Sequence, residues 1–439
     1  MEKLTVLVMG LDPFHLEHVK HVRDAEHYDF QGLLDVHEVV KPVDYPFEGM
    51  LDKAEARARE FPEVAGIITH WDFPASTMLP ILCQRLGLHS ASIEAVLKCE
   101  HKYWSRLEQQ AVIPELVPEF CAIDPFAEDP AAQIEIDYPF WLKPVKGFSS
   151  HLGFRIDTRE DFDRAIPIIR RHIRRIGEPF NVALSYAKLP PEIQKIDGNC
   201  CIAEQIIKGK QCGIEGFVHN GRFAVHGAVD TVKDPKLWSF TRYEYPSSWP
   251  ERIQKRMYQA AEKLMNHIGF DNSPFGVEFF WNDENDDLGI LEVNTRISQS
   301  HSDQFIKVEG ASNHQVAIDV ALGREPAFCR DEGKYAVAAK FMLRRYADAI
   351  VTRVPNQEEV AAAARSEPDC FIELEVNEGD QLSELRDQDS YSFELANIWL
   401  GAQTQDELLD KYRRVAEQLP FEFSDGGRPE EFQFQKVRY

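Results

Sequence analysis

Short apolar runs alternate with helix-like stretches at the start of the chain. Leu4-Thr5-Val6-Leu7-Val8-Met9-Gly10 is apolar, partly β-branched and closed by glycine, as a buried strand is. A helix-like stretch follows, then a second apolar run, Gly32-Leu33-Leu34-Asp35-Val36. The pattern recurs at Val64-Ala65-Gly66-Ile67-Ile68-Thr69, before a helical segment that ends at Leu86-Gly87. This alternation predicts a small, mainly parallel α/β sheet over about the first hundred residues. Gly10-Leu11-Asp12-Pro13 lacks the G-x-G-x-x-G spacing, so the first glycine does not mark a dinucleotide site.

Further on, the spacing predicts a helix over 98–110, a proline-punctuated extended stretch through Pro114 and Pro118, and a loop over 124–132. A strand-turn-strand unit comes next: Phe140 to Val145, the polar loop Lys146-Gly147-Phe148-Ser149-Ser150-His151, then Leu152 to Ile156. A helix over 159–176 leads to alternating strands at 201–207, 211–219 and 222–231. A long helix is predicted over 250–268, then strands at 275–281 and 289–294 joined by the acidic turn 282–287. The remaining expectations are a helix over 310–322, strands near 336–343 and 370–376, a helix over 405–418 and a polar tail. There is no internal repeat.

At 439 residues, two or three packed units are expected, and 44% hydrophobic residues suffice for a large core. Lys plus Arg number 49 against 73 Asp plus Glu, a net charge of −24, which repels phosphate backbones and anionic lipid. The best basic run, 170–175, is brief and reads as a solvated helix face. Nucleic acid and membrane are therefore not expected partners. With no apolar stretch long enough to span a bilayer and no signal-peptide pattern, the expected location is the cytoplasm. The eight Cys show no C-x-x-C or zinc spacing and are expected as free thiols. His15, His18 and His21, three apart, read as a partly exposed helix face rather than a metal site.

Chemistry concentrates late in the sequence. On adjacent strands, Gly276-Val277-Glu278 and Leu291-Glu292-Val293-Asn294 place Glu278, Glu292 and Asn294 on one face, since residues two apart point the same way. Two carboxylates and an amide oxygen suit Mg²⁺ bridging nucleotide phosphates, and Arg296, two places on, would hold an acyl-phosphate or a tetrahedral oxyanion. The plain alternative is a solvated sheet face. Lys143, at a strand end before the Gly/Ser loop, offers phosphate a point charge. Lys102 is a second such cation, with Lys98 competing for the role. The strand Glu204-Gln205-Ile206-Ile207 would take an adenine, its main chain reading the purine edge and Glu204 accepting from the exocyclic amine.

The ordered set Lys102, Lys143-Pro144, the loop 146–153, Glu204 to Ile207 with Gly209, Gly276-Val277-Glu278, Glu292-Val293-Asn294 and Arg296 resembles the ATP-grasp superfamily, closest to its carboxylate–amine ligase branch, which includes amino-acid ligases and biotin-carboxylase subunits. The resemblance runs over about residues 1 to 325, and the segment from Glu378 through the last helix looks like that branch's C-terminal domain. It implies a multidomain α/β and α+β protein. An N-terminal parallel α/β domain (1–97) would precede an ATP-grasp domain (98–325, with a lid at about 138–204) and a C-terminal α+β domain (326–439). Carried over residue by residue, it puts Lys102 and Lys143 on phosphates, Ser149 and Ser150 in the covering loop, and Glu278, Glu292 and Asn294 on Mg²⁺, with Mn²⁺ as the alternative ion. Arg296 takes the transition-state role.

The implied activity is ATP-dependent activation of a small carboxylate, plausibly an amino acid, as an acyl-phosphate, then capture by an amine. Carboxylate and amine are the expected partners, with a homodimer as the default assembly. Three departures stand out. Gln211 replaces the acid that often binds ribose, Asn294-Thr295-Arg296 replaces Asn-Pro-Arg, and Ser298-Gln299-Ser300-His301-Ser302 stands where many members have glycines. His301 reads equally as a substrate contact or a satisfied loop residue. The competing readings are a carboxylase component, a small-molecule kinase and a non-catalytic ATP-binding scaffold. No Met-Lys-Met biotinylation sequence is present.

Overall fold

A computed structural model describes residues 3–40, 42–147, 152–234, 239–385 and 392–429. Three parallel strands, β1 (Leu4–Val8), β2 (Tyr28–Gly32) and β3 (Gly66–Ile68), form the first sheet in the order β2-β1-β3. The second strand lies earlier than its apolar run suggested. Asp35 caps a short helix, Val36–Val39, with a reciprocal capping box, which pulls 33–36 out of the sheet. At the C-terminal end of β1, Gly10 has φ +67°, and a Cβ there would meet Val39 and Trp71.

Four antiparallel strands build a small second sheet: β4 (Phe120–Ile123), β5 (Phe140–Pro144), β6 (Phe154–Ile156) and β7 (Cys201–Gln205), in the order β4-β7-β5-β6. Helix Arg159–His172 covers it with Phe162, Ala165, Ile166 and Ile169. The single helix expected over 159–176 is two, the second running Arg174–Leu184 and burying Ile176 and Phe180 against the first unit. Likewise the helix expected over 98–110 is Ile93–Glu100 followed by Lys102–Val112. At the break, the His101 side chain accepts from the Trp104 amide and caps the second helix.

The main sheet has eight strands. β8 (Lys210–His219), β9 (Arg222–Lys233), β10 (Phe240–Tyr245), β11 (Ser273–Asn282), β12 (Asp287–Asn294), β13 (Val337–Arg345), β15 (Phe371–Leu374) and β16 (Phe393–Ala402) run in the order β12-β11-β8-β9-β10-β13-β16-β15. The short strands β14 (Val351–Arg353) and β17 (Glu422–Phe423) pair separately. The C-terminal strands therefore continue the central sheet through the antiparallel pairing of β10 with β13.

Alternation along β11 decides which face becomes core. Val277, Phe279 and Trp281 pack with helix Glu251–Ile268 through Ile253, Met257, Ala261, Leu264 and Ile268, a 3.6-residue stripe closed by Gly269. Each such buried side chain contributes roughly 1.5–3 kcal/mol of transfer free energy. The intervening residues, Gly276, Glu278 and Phe280, turn to the other face, which is the floor of a cleft.

Candidate functional site

The cleft has a volume of about 1550 Å³ and draws its walls from the loops after β1 and β3, the small sheet and the eight-stranded sheet. Its floor is one face of the eight-stranded sheet. Register sets Gly276 opposite Asn294 and Glu278 opposite Glu292 on β11 and β12, so the three predicted oxygen donors do share a face. Asn294 donates from Nδ2 to Glu278 Oε1 at 3.2 Å, which leaves its carbonyl oxygen for a ligand. Burial, and then the charge of Glu292, push the Glu278 carboxyl above the usual range. Burial acts on Glu292 in the same sense, but Lys102 and Lys143 overcome it and hold that carboxyl low. Two adjoining half-buried acids of which one resists ionisation form a donor set that a hard divalent cation would relieve.

The predicted cations converge on this pair. Lys102 Nζ lies 3.3 Å from Glu292 Oε2 and donates to the Gly147 carbonyl at 3.0 Å. Lys98 instead faces Glu94 at 3.4 Å, away from the phosphate role. Lys143 Nζ is 2.6 Å from Glu204 Oε2, and Arg106 Nε donates to Glu204 Oε1 at 2.8 Å. Burial opposes ionisation of Glu204, yet Arg106 and Lys143 hold its carboxyl down to about 2. Both Glu204 oxygens are thus engaged. That corrects the expectation of a carboxylate open to an adenine amine.

Gln205 and Ile207 line the cleft beside Gly209, whose φ of +120° and close approach to the Trp281 carbonyl exclude a side chain. Gln211, expected at a ribose, instead donates from Nε2 to Glu278 Oε2 at 2.5 Å and is 3% exposed, because β8 pairs directly with β11. Ser149 and Ser150 lie outside the described residues.

Arg296 reaches across to the first unit, donating to Asp72 Oδ2 at 2.6 Å and to the Ile297 carbonyl at 3.2 Å. Asp72 and His70 follow β3, at the carboxyl end of a parallel strand, where open α/β sheets place functional groups. That topological rule was the signal by which Asp72 could have been found. His15 and His18 are buried rather than partly exposed. His15 Nδ1 sits 2.6 Å from Asp12 Oδ2, and its ring stacks on His70 at 4.4 Å between centroids.

Several other groups were not legible as site residues. Lys233 reaches the cleft from β9 between the rings of Phe240 (4.9 Å) and Phe280 (4.8 Å) and pairs with no carboxylate among the described residues. Burial depresses its pKa to about 8, with Glu278 and Glu292 opposing. Lys146 Nζ is 2.5 Å from Glu100 Oε2, and Thr295 Oγ1 donates to Glu100 Oε1 at 2.6 Å, tying the end of β5 to the end of β12.

The cleft thus lies between a four-stranded and an eight-stranded antiparallel sheet and is lined by cations over an acidic pair. A family model described as ATP-grasp domain matches residues 136–303, and the chain has the ATP-grasp fold. No curated protein sequence matches it. Among solved structures it is similar to an L-amino acid ligase from Bacillus licheniformis (17% identity, 97% of this chain and 100% of that one, TM-score 0.68). It is also similar to a phosphoribosylglycinamide synthetase from Anaerococcus prevotii (14%, 96% and 100%, TM-score 0.61). A third similar structure is a biotin carboxylase from Campylobacter jejuni (14%, 95% and 92%, TM-score 0.60). Among the described residues no helix is long and apolar enough to cross a membrane.

Proposed function

We propose that the protein is an ATP-dependent ligase that activates a small carboxylate, plausibly an amino acid, as an acyl-phosphate and passes the acyl group to an amine. The observation that carries this reading is the convergence of Glu278, Glu292, Lys102, Lys143 and Arg296 on one cleft. Glu278, Glu292 and the carbonyl oxygen of Asn294 would hold Mg²⁺ (or Mn²⁺), which would supply positive charge beside the phosphates of ATP. Lys102 and Lys143 supply fixed charge to the phosphates of ATP. The main chain of 205–207 meets the adenine edge while Glu204 keeps Lys143 and Arg106 in place.

Arg296, oriented by Asp72, faces the carboxylate under attack and stabilises the charge that develops there. A carboxylate oxygen attacks the γ-phosphorus, ADP leaves, and an amine nitrogen then displaces phosphate from the acyl carbon. Enclosure by the small sheet keeps water from the acyl-phosphate. Similarity to the L-amino acid ligase from Bacillus licheniformis supports an amino acid as the activated carboxylate. The test is ADP and phosphate release from Mg-ATP with pooled carboxylates, with and without pooled amino acids. Release that needs both pools supports the ligase. Bicarbonate-dependent release or a phosphorylated product contradicts it in favour of a carboxylase or a kinase.

A further inference from the structure

The amine in this reaction arrives as an ammonium ion and must lose a proton before it can attack. His301 is placed for that task. His301 lies five residues past Arg296, in the segment 298–301 that lines the cleft. Its Nδ1 is 2.5 Å from Glu215 Oε1, while its Nε2 makes no hydrogen bond among the described residues. Glu215 is 2% exposed and is itself fixed, since Asn313 Nδ2 donates to Oε2 at 2.9 Å. A carboxylate on Nδ1 selects the tautomer with hydrogen on that nitrogen, which leaves Nε2 with its lone pair toward the cleft.

We infer that His301, oriented by Glu215, is the general base that deprotonates the acceptor ammonium; the inference rests on the ligase reading above. The ammonium gives one proton to His301 Nε2, and the freed nitrogen lone pair forms the C–N bond at the acyl carbon. The C–O bond to phosphate breaks with its electron pair on phosphate. The second proton of the attacking nitrogen leaves with that phosphate, and the imidazolium returns its own proton to water. Glu215 is a positioning residue.

The charged and titratable groups around the ring are Glu215 on β8, His226 on β9 (3.5 Å from Glu215 Oε2), Tyr243 on β10 (5.1 Å between rings), Arg296 after β12, and Lys340 on β13, which donates to Ser300 Oγ at 3.4 Å.

The test separates the two half-reactions. Hydroxylamine, a weakly basic nucleophile already neutral at neutral pH, captures an acyl-phosphate without help from a base. With Mg-ATP and each of the protein amino acids as carboxylate, hydroxamate formation reads activation, and amide formation with the same amino acids as acceptors reads ligation. His301→Ala is expected to keep hydroxamate formation and to lose about 10²- to 10⁴-fold in ligation, with partial rescue by added imidazole. Glu215→Gln is expected to lower ligation while sparing hydroxamate formation, because the carboxylate that fixes the His301 ring at Nδ1 is lost.

Equal loss of both half-reactions in folded His301→Ala, or unchanged ligation, overturns the assignment. If His301→Ala does not fold, unchanged ligation in Glu215→Gln, or equal loss of both half-reactions in that variant, overturns it. Wild-type protein that forms no hydroxamate, or hydroxamate but no amide, contradicts the ligase reading itself and this inference with it.

Discussion

Glu204 bridges two cations of the cleft, Lys143 at 2.6 Å through one oxygen and Arg106 at 2.8 Å through the other. Arg106 also donates to the carbonyls of Ile290 (2.8 Å) and Leu291 (2.9 Å), so one buried carboxylate links the small sheet, a helix and the strand that carries Glu292. Breaking a buried pair by removing one partner typically costs about 3–5 kcal/mol, because the remaining charge is stranded. Glu204→Ala is expected to destabilise by that order in denaturant unfolding and to raise KM for ATP by releasing Lys143. The carboxyl lies at about 2 in the folded protein against 4.5 when unperturbed. Its contribution is therefore full above about pH 4.5 and is lost as the pH falls toward 2. Wild-type and variant should accordingly converge in stability at the acid end.

Glu278→Gln should make the metal-free protein more stable at neutral pH while abolishing Mg²⁺-dependent ADP formation. A carboxyl whose folded value is raised opposes folding above its unfolded value, so a neutral isostere removes that cost. Thermal unfolding with and without Mg-ATP checks both halves. A variant that is less stable in the absence of metal, or that still turns over, contradicts the assignment.

Lys233→Met should behave in the same divided way. The ammonium is depressed to about 8 by burial, and a lysine so shifted binds fewer protons folded than unfolded. Its charge thus opposes folding below about pH 8, by roughly 3 kcal/mol. The variant is expected to gain stability at pH 7 and to lose ATP turnover. In the wild type, kcat/KM for ATP should fall as the pH rises through about 8. A flat profile there would show that the Lys233 ammonium takes no part in ATP use.

Asp72→Asn should lower kcat more than it raises KM for ATP, by about 10- to 100-fold in kcat, because Asp72 orients Arg296 without facing the nucleotide. Steady-state kinetics with varied ATP decide this. Equal effects on both parameters would make the Asp72–Arg296 pair a binding element.

The order of the site along the chain was legible because its strands obey a period of two. Glu278, Glu292 and Asn294 follow from alternation alone, and the long helix Glu251–Ile268 from its apolar stripe. What stayed hidden depended on distant pairing. Gln211 reads as a residue after a hinge glycine until β8 is placed against β11, which puts it on Glu278. β10 and β16 were not distinguished as strands, since Phe240–Tyr245 carries Thr241, Arg242 and Glu244, all buried by the sheet formed around them. His15 and His18 looked half-exposed by spacing; His70 and Trp71 cover the first, and helix Ser302–Glu309, also unforeseen, brings Asp303 to the second.

The most direct measurement of the central claim is the fate of carboxylate oxygen. Amino acids labelled with ¹⁸O in the carboxyl group are supplied with Mg-ATP and an amine, and the released phosphate is weighed by mass spectrometry. Passage through an acyl-phosphate predicts one ¹⁸O atom in each phosphate formed by ligation. Unlabelled phosphate accompanying product formation would show that no carboxylate oxygen ever bonded to phosphorus, and would contradict the account.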